Sequence, residues 1–167
     1  QAETSEITME SGDFKAEASE LGELVLVQKF GAVRLCDVSC GEAQITSESG
    51  GIRLESVTAA SLDVKSSFGD VEGEAVSAAG GTFELESGAC ILRSLDIPTL
   101  SIDSDFGDVK LTLAGAVAEY MFDLDTEFGD VEIDHRDMGS AYRSLETREK
   151  SVVVRCDSGN IRIESGK

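Results

Sequence analysis

Apolar and polar residues alternate in short runs along the whole chain, and a glycine interrupts each pair of runs. The glycines between paired runs are Gly12, Gly31, Gly50, Gly69, Gly88, Gly107, Gly129 and Gly159; the first five intervals are 19 residues each, and the last two are 22 and 30. Two residues after each glycine stand Phe14, Val33, Ile52, Val71, Cys90, Val109, Val131 and Ile161. Four after it stand Ala16, Leu35, Leu54, Gly73, Leu92, Leu111, Ile133 and Ile163, and five before it Ile7, Leu26, Ile45, Val64, Phe83, Ile102, Leu124 and Val154. Polar residues fill most positions between. This is the period of a strand with one buried face, repeated on both sides of a turn. A weaker third segment follows, as in Val38 with Cys40 and Val57 with Ala59.

Three short strands per coil predict an all-β fold: a single-stranded parallel β-helix, or β-solenoid, of about eight rungs of ~19 residues. One coil cannot bury its own apolar face, whereas stacked coils give like residues a continuous ladder. The general hand of parallel β connections favours a right-handed coil, and a left-handed one is the alternative because the turn is close to the length that left-handed solenoids use. Residues 1–167 read as one solenoid domain. The residue before the glycine runs Ser11, Phe30, Ser49, Phe68, Ser87, Phe106, Phe128, Ser158, so that serine and phenylalanine alternate over the first six rungs. The expectation is an inward column in which each ring fills space beside a small neighbour, with a ligand-stacking row as the alternative. The repeated Phe-Gly-Asp-Val is a corner motif, with glycine supplying positive φ and aspartate the turn.

The longest interval exceeds the basic unit by 11 residues, and the surplus lies in an insertion at 135–150 before the last rung. Insertions in solenoids loop out of one face and often bind. His135, Arg136, Tyr142, Arg143, Arg148 and Lys150 make it a basic patch in an acidic chain and the partner-binding candidate. The alternative is a segment that leans back on the acidic rungs. A smaller insertion falls around 114–120. At the C-terminal end Ile161 and Ile163 need a cover, either the 135–150 insertion folded over them or a second copy stacked end to end as a homodimer. At the other end, Gln1 to Glu6 are polar enough to lie across the first rung.

Composition fits a thin core: 41% of residues are apolar, but only 5% are aromatic, none is Trp, and 17 are Gly. Charge changes the picture more. With 14 Lys and Arg against 33 Asp and Glu, the net charge of −19 repels phosphate backbones and anionic headgroups, so no nucleic-acid partner is expected. Asp103, Asp105, Asp123, Asp125 and Glu127 would stack on adjacent rungs into a wall of oxygens, a weak cation-binding candidate. Asp123-x-Asp125-x-Glu127 has Phe128 where a calcium loop requires glycine, so no dedicated metal site is expected. Of the four cysteines, Cys40, Cys90 and Cys156 fall on inward columns and Cys36 on an outward one; only Cys36 and Cys40 are near enough to pair, and buried free thiols are the expectation. No nucleophile pairs convincingly with His135, so neither catalytic residues nor a cofactor is expected. No apolar run approaches the ~20 residues that cross a bilayer. The chain opens at Gln1, so any signal or membrane anchor is expected outside it.

At Ser-Ser-Phe-Gly-Asp-Val (66–71), Ser-Asp-Phe-Gly-Asp-Val (104–109), Thr-Glu-Phe-Gly-Asp-Val (126–131) and Asp-Ser-Gly-Asn-Ile (157–161), the chain resembles a bacterial adhesin-like family with β-strand repeats. The resemblance spans nearly the whole chain. It implies a cell-envelope β-helix domain of unknown function, extracytoplasmic and often membrane-tethered, with no catalytic residues to carry over. The function expected is a non-enzymatic envelope or surface domain, an adhesin-like binding or scaffold module that presents a rigid acidic face to a protein or glycan partner. The alternatives are a polysaccharide-active β-helix enzyme and a self-stacking structural module.

Overall fold

The computed structural model describes residues 4–166. Its corners set the rung spacing. Gly69 stands at φ +140°, and a Cβ there would lie 2.7 Å from the carbonyl carbon of Gly50 on the neighbouring rung and closer still to its oxygen. Glycine alone lets the corners stack at the ~4.8 Å spacing of paired strands. A second corner, absent from the sequence expectation, comes six residues later at Ala18, Asp37, Ser56, Ala75 and Ser94, with φ between 45° and 54°. None of these is glycine.

Between corners the chain is strand: β1 (Thr4–Ser11), β2 (Phe14–Phe30), β3 (Val33–Ser49), β4 (Ile52–Phe68), β5 (Val71–Glu74), β6 (Ser77–Ser87), β7 (Cys90–Leu95), β8 (Thr99–Phe106) and β9 (Val109–Leu113). All pair in parallel with the next rung, as in Leu26 with Ile45, Ile45 with Val64 and Val64 with Phe83, and in register except for one shift between Leu92 and Leu95 where β7 meets β9. The ladders meet in one apolar core. From Val33 onward the residues two and four after each glycine are buried, as the pattern predicts, while Phe14 and Ala16 of the first rung are only partly so. The result is an all-β solenoid of about six turns. Eight corners make fewer full turns because the last passes lack a third side.

The spatial order of the rungs departs from their order in sequence. After β9 the chain passes through a short 3-10 turn (Val117–Glu119) into β10 (Tyr120–Phe128) and β11 (Val131–Ile133), one rung beyond the adjacent level. The 22-residue interval supplies three residues more than the basic unit, enough to climb the extra ~4.8 Å. The level left open is filled last, by β14 (Lys150–Ser158) and β15 (Ile161–Ser165). β14 pairs with β8 on one side and β10 on the other, and β15 likewise with β9 and β11. Ile161 and Ile163 therefore end no solenoid. They lie fully buried between Val109 and Leu111 on one side and Val131 and Ile133 on the other. Neither of the two expected covers is what holds them.

Two further expectations are corrected. Phe30, Phe68, Phe106 and Phe128 do not point inward; they are 59%, 61%, 61% and 74% exposed. The inward position near the corner is two residues earlier, where Ser47, Ser66 and Thr126 donate hydroxyl hydrogen bonds to corner carbonyls at 3.4, 3.2 and 2.9 Å. At the first rung, Thr4–Glu6 do not lie across the end. They are part of β1, in register with Glu23–Val25, and Gln1–Glu3 lie outside the described residues.

Candidate functional site

The 135–150 insertion leaves the top rung through Asp134 and His135, both at positive φ (45° and 63°). It then forms two short antiparallel strands, β12 (Arg136–Asp137) against β11 and β13 (Ala141–Arg143) against β10. Gly139, at φ +77°, makes the turn between them, and its N–H donates to Asp137 Oδ1 at 2.8 Å. The insertion is thus a cap, but on the 120–133 rung. Beside it opens a cleft of about 790 Å³. Tyr120, Phe122 and Ile133 line it from the last rung and Met138, Tyr142 and Leu145 from the cap, with Arg136, Arg143 and Arg148 among its other walls. An apolar group carrying an anion suits such a lining.

Four of the six partner-binding candidates, Arg136, Tyr142, Arg143 and Arg148, line this cleft; His135 and Lys150 stand outside it. Most of the cations are turned onto acidic neighbours. Arg143 bonds Asp123 at 2.6 Å, Lys150 meets Glu119 at 3.0 Å, and Arg148 pairs with Glu146. His135 Nδ1 lies 3.4 Å from Glu132. Arg136 has no ion pair among the described residues. Burial raises the pKa of Asp123, but hydrogen bonds from Arg143 and Arg155 outweigh it and hold the carboxyl below its ordinary value. Lys150 also sits 5.0 Å over the Tyr120 ring. The hydroxyl of Tyr120 is buried with no hydrogen-bond partner among the described residues.

The cation-binding candidates do not form the expected wall. Because β14 separates β8 from β10, Arg155 stands in register between Asp103 and Asp125, and its guanidinium bonds Asp123 at 3.0 Å. Asp105 and Glu127 are likewise two rungs apart, with Asp157 at the level between them. No group of three or more metal-ligating side chains comes together among the described residues. The corner aspartates have a backbone role: Asp13 and Asp70 each accept the N–H of the residue after the next corner glycine, at 2.9 and 2.8 Å.

All four cysteines are free thiols; Cys40, Cys90 and Cys156 are buried and Cys36 partly so. Burial pushes the Cys90 thiol up to about 12. Cys36 is raised too, first by desolvation and then by the Asp37 and Glu55 carboxylates. These surroundings suppress the thiolate on which cysteine nucleophiles depend.

The feature missed in the sequence is the row of exposed phenylalanines. Its signal was available. The inward columns five before and two after the glycine are seven residues apart, an odd number, so strict alternation must break between them.

No helix among the described residues is long and apolar enough to cross a membrane. No curated protein and no solved structure matches the chain. The profile of the Toastrack DUF4097 family matches residues 2–164, and with its rung-by-rung β-repeat the chain belongs to that family of domains of unknown function.

Proposed function

We propose that this chain is a non-enzymatic, adhesin-like binding or scaffold domain of the bacterial cell envelope or surface, presenting a rigid acidic face to a protein or glycan partner. The observation that carries this reading is the parallel ladder, in register from rung to rung apart from one shift between Leu92 and Leu95. Side chains between the apolar columns are fixed outward at a pitch of ~4.8 Å per rung, and with a net charge of −19 most of the ionised ones are carboxylates. A surface ordered before it meets its partner loses little entropy on binding, and its field draws in cationic groups. In this reading the domain lies outside the cytoplasm, tethered by a membrane segment that is not part of this chain.

The test is localisation of the native full-length protein together with its activity on glycans. The expected result is recovery in the membrane fraction and labelling by an amine reagent that cannot cross the inner membrane. Recovery only in the cytosol, unlabelled, would sink the envelope reading. Turnover of any polysaccharide in a glycan panel would replace the binding domain with an enzyme.

A further inference from the structure

The column of residues preceding the corner glycine holds a regular apolar comb. In sequence the alternation of serine and phenylalanine fails at Phe106 and Phe128, which occupy successive passes. In space it does not fail. β14 places Ser158 between them, in register with Phe106 on one side and Phe128 on the other. The column therefore reads Ser11, Phe30, Ser49, Phe68, Ser87, Phe106, Ser158, Phe128 without interruption. Each ring is more than half exposed. Successive rings stand two rungs apart, ~9.6 Å, too far to stack on one another. Among the described residues the one aromatic pair is Tyr120 with Phe122, away from the comb. The rings do not pack on one another, and their exposed faces form a regular apolar row that is available to a partner.

Carboxylates flank the comb on both sides. Glu48, Glu86, Asp105, Asp157 and Glu127 precede it, all exposed, while Asp13, Asp70, Asp108 and Asp130 follow the glycine. The lysine in these columns, Lys29, is paired with Glu10. A second copy laid on the comb would press carboxylate against carboxylate, which disfavours self-pairing. The flanks call for a basic partner. The pitch selects its conformation. A strand repeats one face every ~6.8 Å, out of step with the comb. A polyproline II segment repeats every third residue, ~9.3 Å, and stays within ~1 Å of the rings across all four teeth. Aromatic-lined surfaces are the usual receptors of that conformation.

We propose that the comb Phe30–Phe68–Phe106–Phe128 docks a basic polyproline II segment of another polypeptide, which seats an apolar side chain over Ser49, Ser87 and Ser158 and aims Lys or Arg at the flanking carboxylates. The proposal rests on the binding-domain reading above and names its partner class. A synthetic peptide of four Pro-Leu-Lys repeats is titrated into the intact chain at low salt. A peptide of the same composition in scrambled order, and one of Pro-Ser-Lys repeats, are the controls. The ordered peptide is expected to bind best. The double variant Phe68→Ser with Phe106→Ser should weaken it at least about tenfold, and serine already stands at this column on alternate rungs, so the fold should survive. Glu86→Gln with Asp105→Asn should weaken binding and flatten its salt dependence. Equal binding of all three peptides, with no effect of the serine variant, overturns the comb and leaves the acidic face as the site. No binding of the ordered peptide overturns the proposal. So does concentration-dependent dimerisation of the wild type that the serine variant abolishes, which would make a second copy the occupant.

Discussion

A phenylalanine one residue ahead of the corner faces water because the strand period changes phase there, and after Phe30, Phe68 and Phe106 the glycine has a φ open to few other residues. At Gly69 any side chain meets backbone of the preceding rung, which cannot retreat without breaking the ladder. Gly69→Ala is therefore expected to cost about 3 kcal/mol or more, read as a large fall in the urea midpoint. The opposite holds at Ala75, exposed and at φ 54°. There Ala75→Gly should be neutral or stabilising, by up to about 1 kcal/mol. If Gly69→Ala leaves the midpoint in place, the corners are not stacked as tightly as described. The glycine corner was legible because only glycine serves there. The second corner was not: Ala18, Asp37, Ser56, Ala75 and Ser94 share no residue type that marks a turn. Their left-handed conformation is enforced by the ladders on either side rather than by local preference.

At the scale of elements, the ordering of the last passes was hidden by the repeat itself. Every pass carries interchangeable apolar residues at its inward columns, so β14 and β15 fit next to any other pass. Chain order was the natural default. What distinguished the true order was a polar-face detail, the broken serine–phenylalanine alternation, which an inward reading of the rings concealed. The interior position of β15 has a direct consequence. Ile163→Asp puts a carboxylate between Leu111 and Ile133 with no cation in register, and should cost about 4 kcal/mol or more at any protein concentration. A loss of stability that appears only on dilution would point instead to a cover from a second chain.

The cap is expected to respond to pH through Asp123. Arg143 of β13 and Arg155 of β14 hold this carboxyl below its ordinary value. A depressed carboxyl contributes stability that is fully present above its unfolded value, near 4, and is lost as pH falls through the lower folded value. Amides of Ala141–Arg143 should therefore exchange faster as pH drops below the ordinary carboxylate range, after correction for intrinsic exchange. Asp123→Asn should abolish that response. A cap whose protection is flat across this range in the wild type would show that the Arg143–Asp123 contact does not hold it.

The whole molecule has two unlike ends. β1 pairs on one side only, and Ile7, Phe14 and Ala16 beside it are only partly buried. At the opposite end β12 and β13 cover parts of the outer edges of β11 and β10 with strands of two and three residues. Strands that short, bearing Arg136, Asp137 and Arg143, make a poor template for further pairing. Growth into a filament needs two open ends that join head to tail, and the cap withholds one of them. Replacing residues 136–147 by a short Gly-Ser link should bare the N–H and C=O groups of β10 and β11 while leaving β14 able to enter its slot. The expected outcome is association that deepens with concentration in sedimentation velocity, against a parent chain that does not extend from its capped end. If the shortened chain sediments as the parent does at every concentration, the hairpin is not what closes this end.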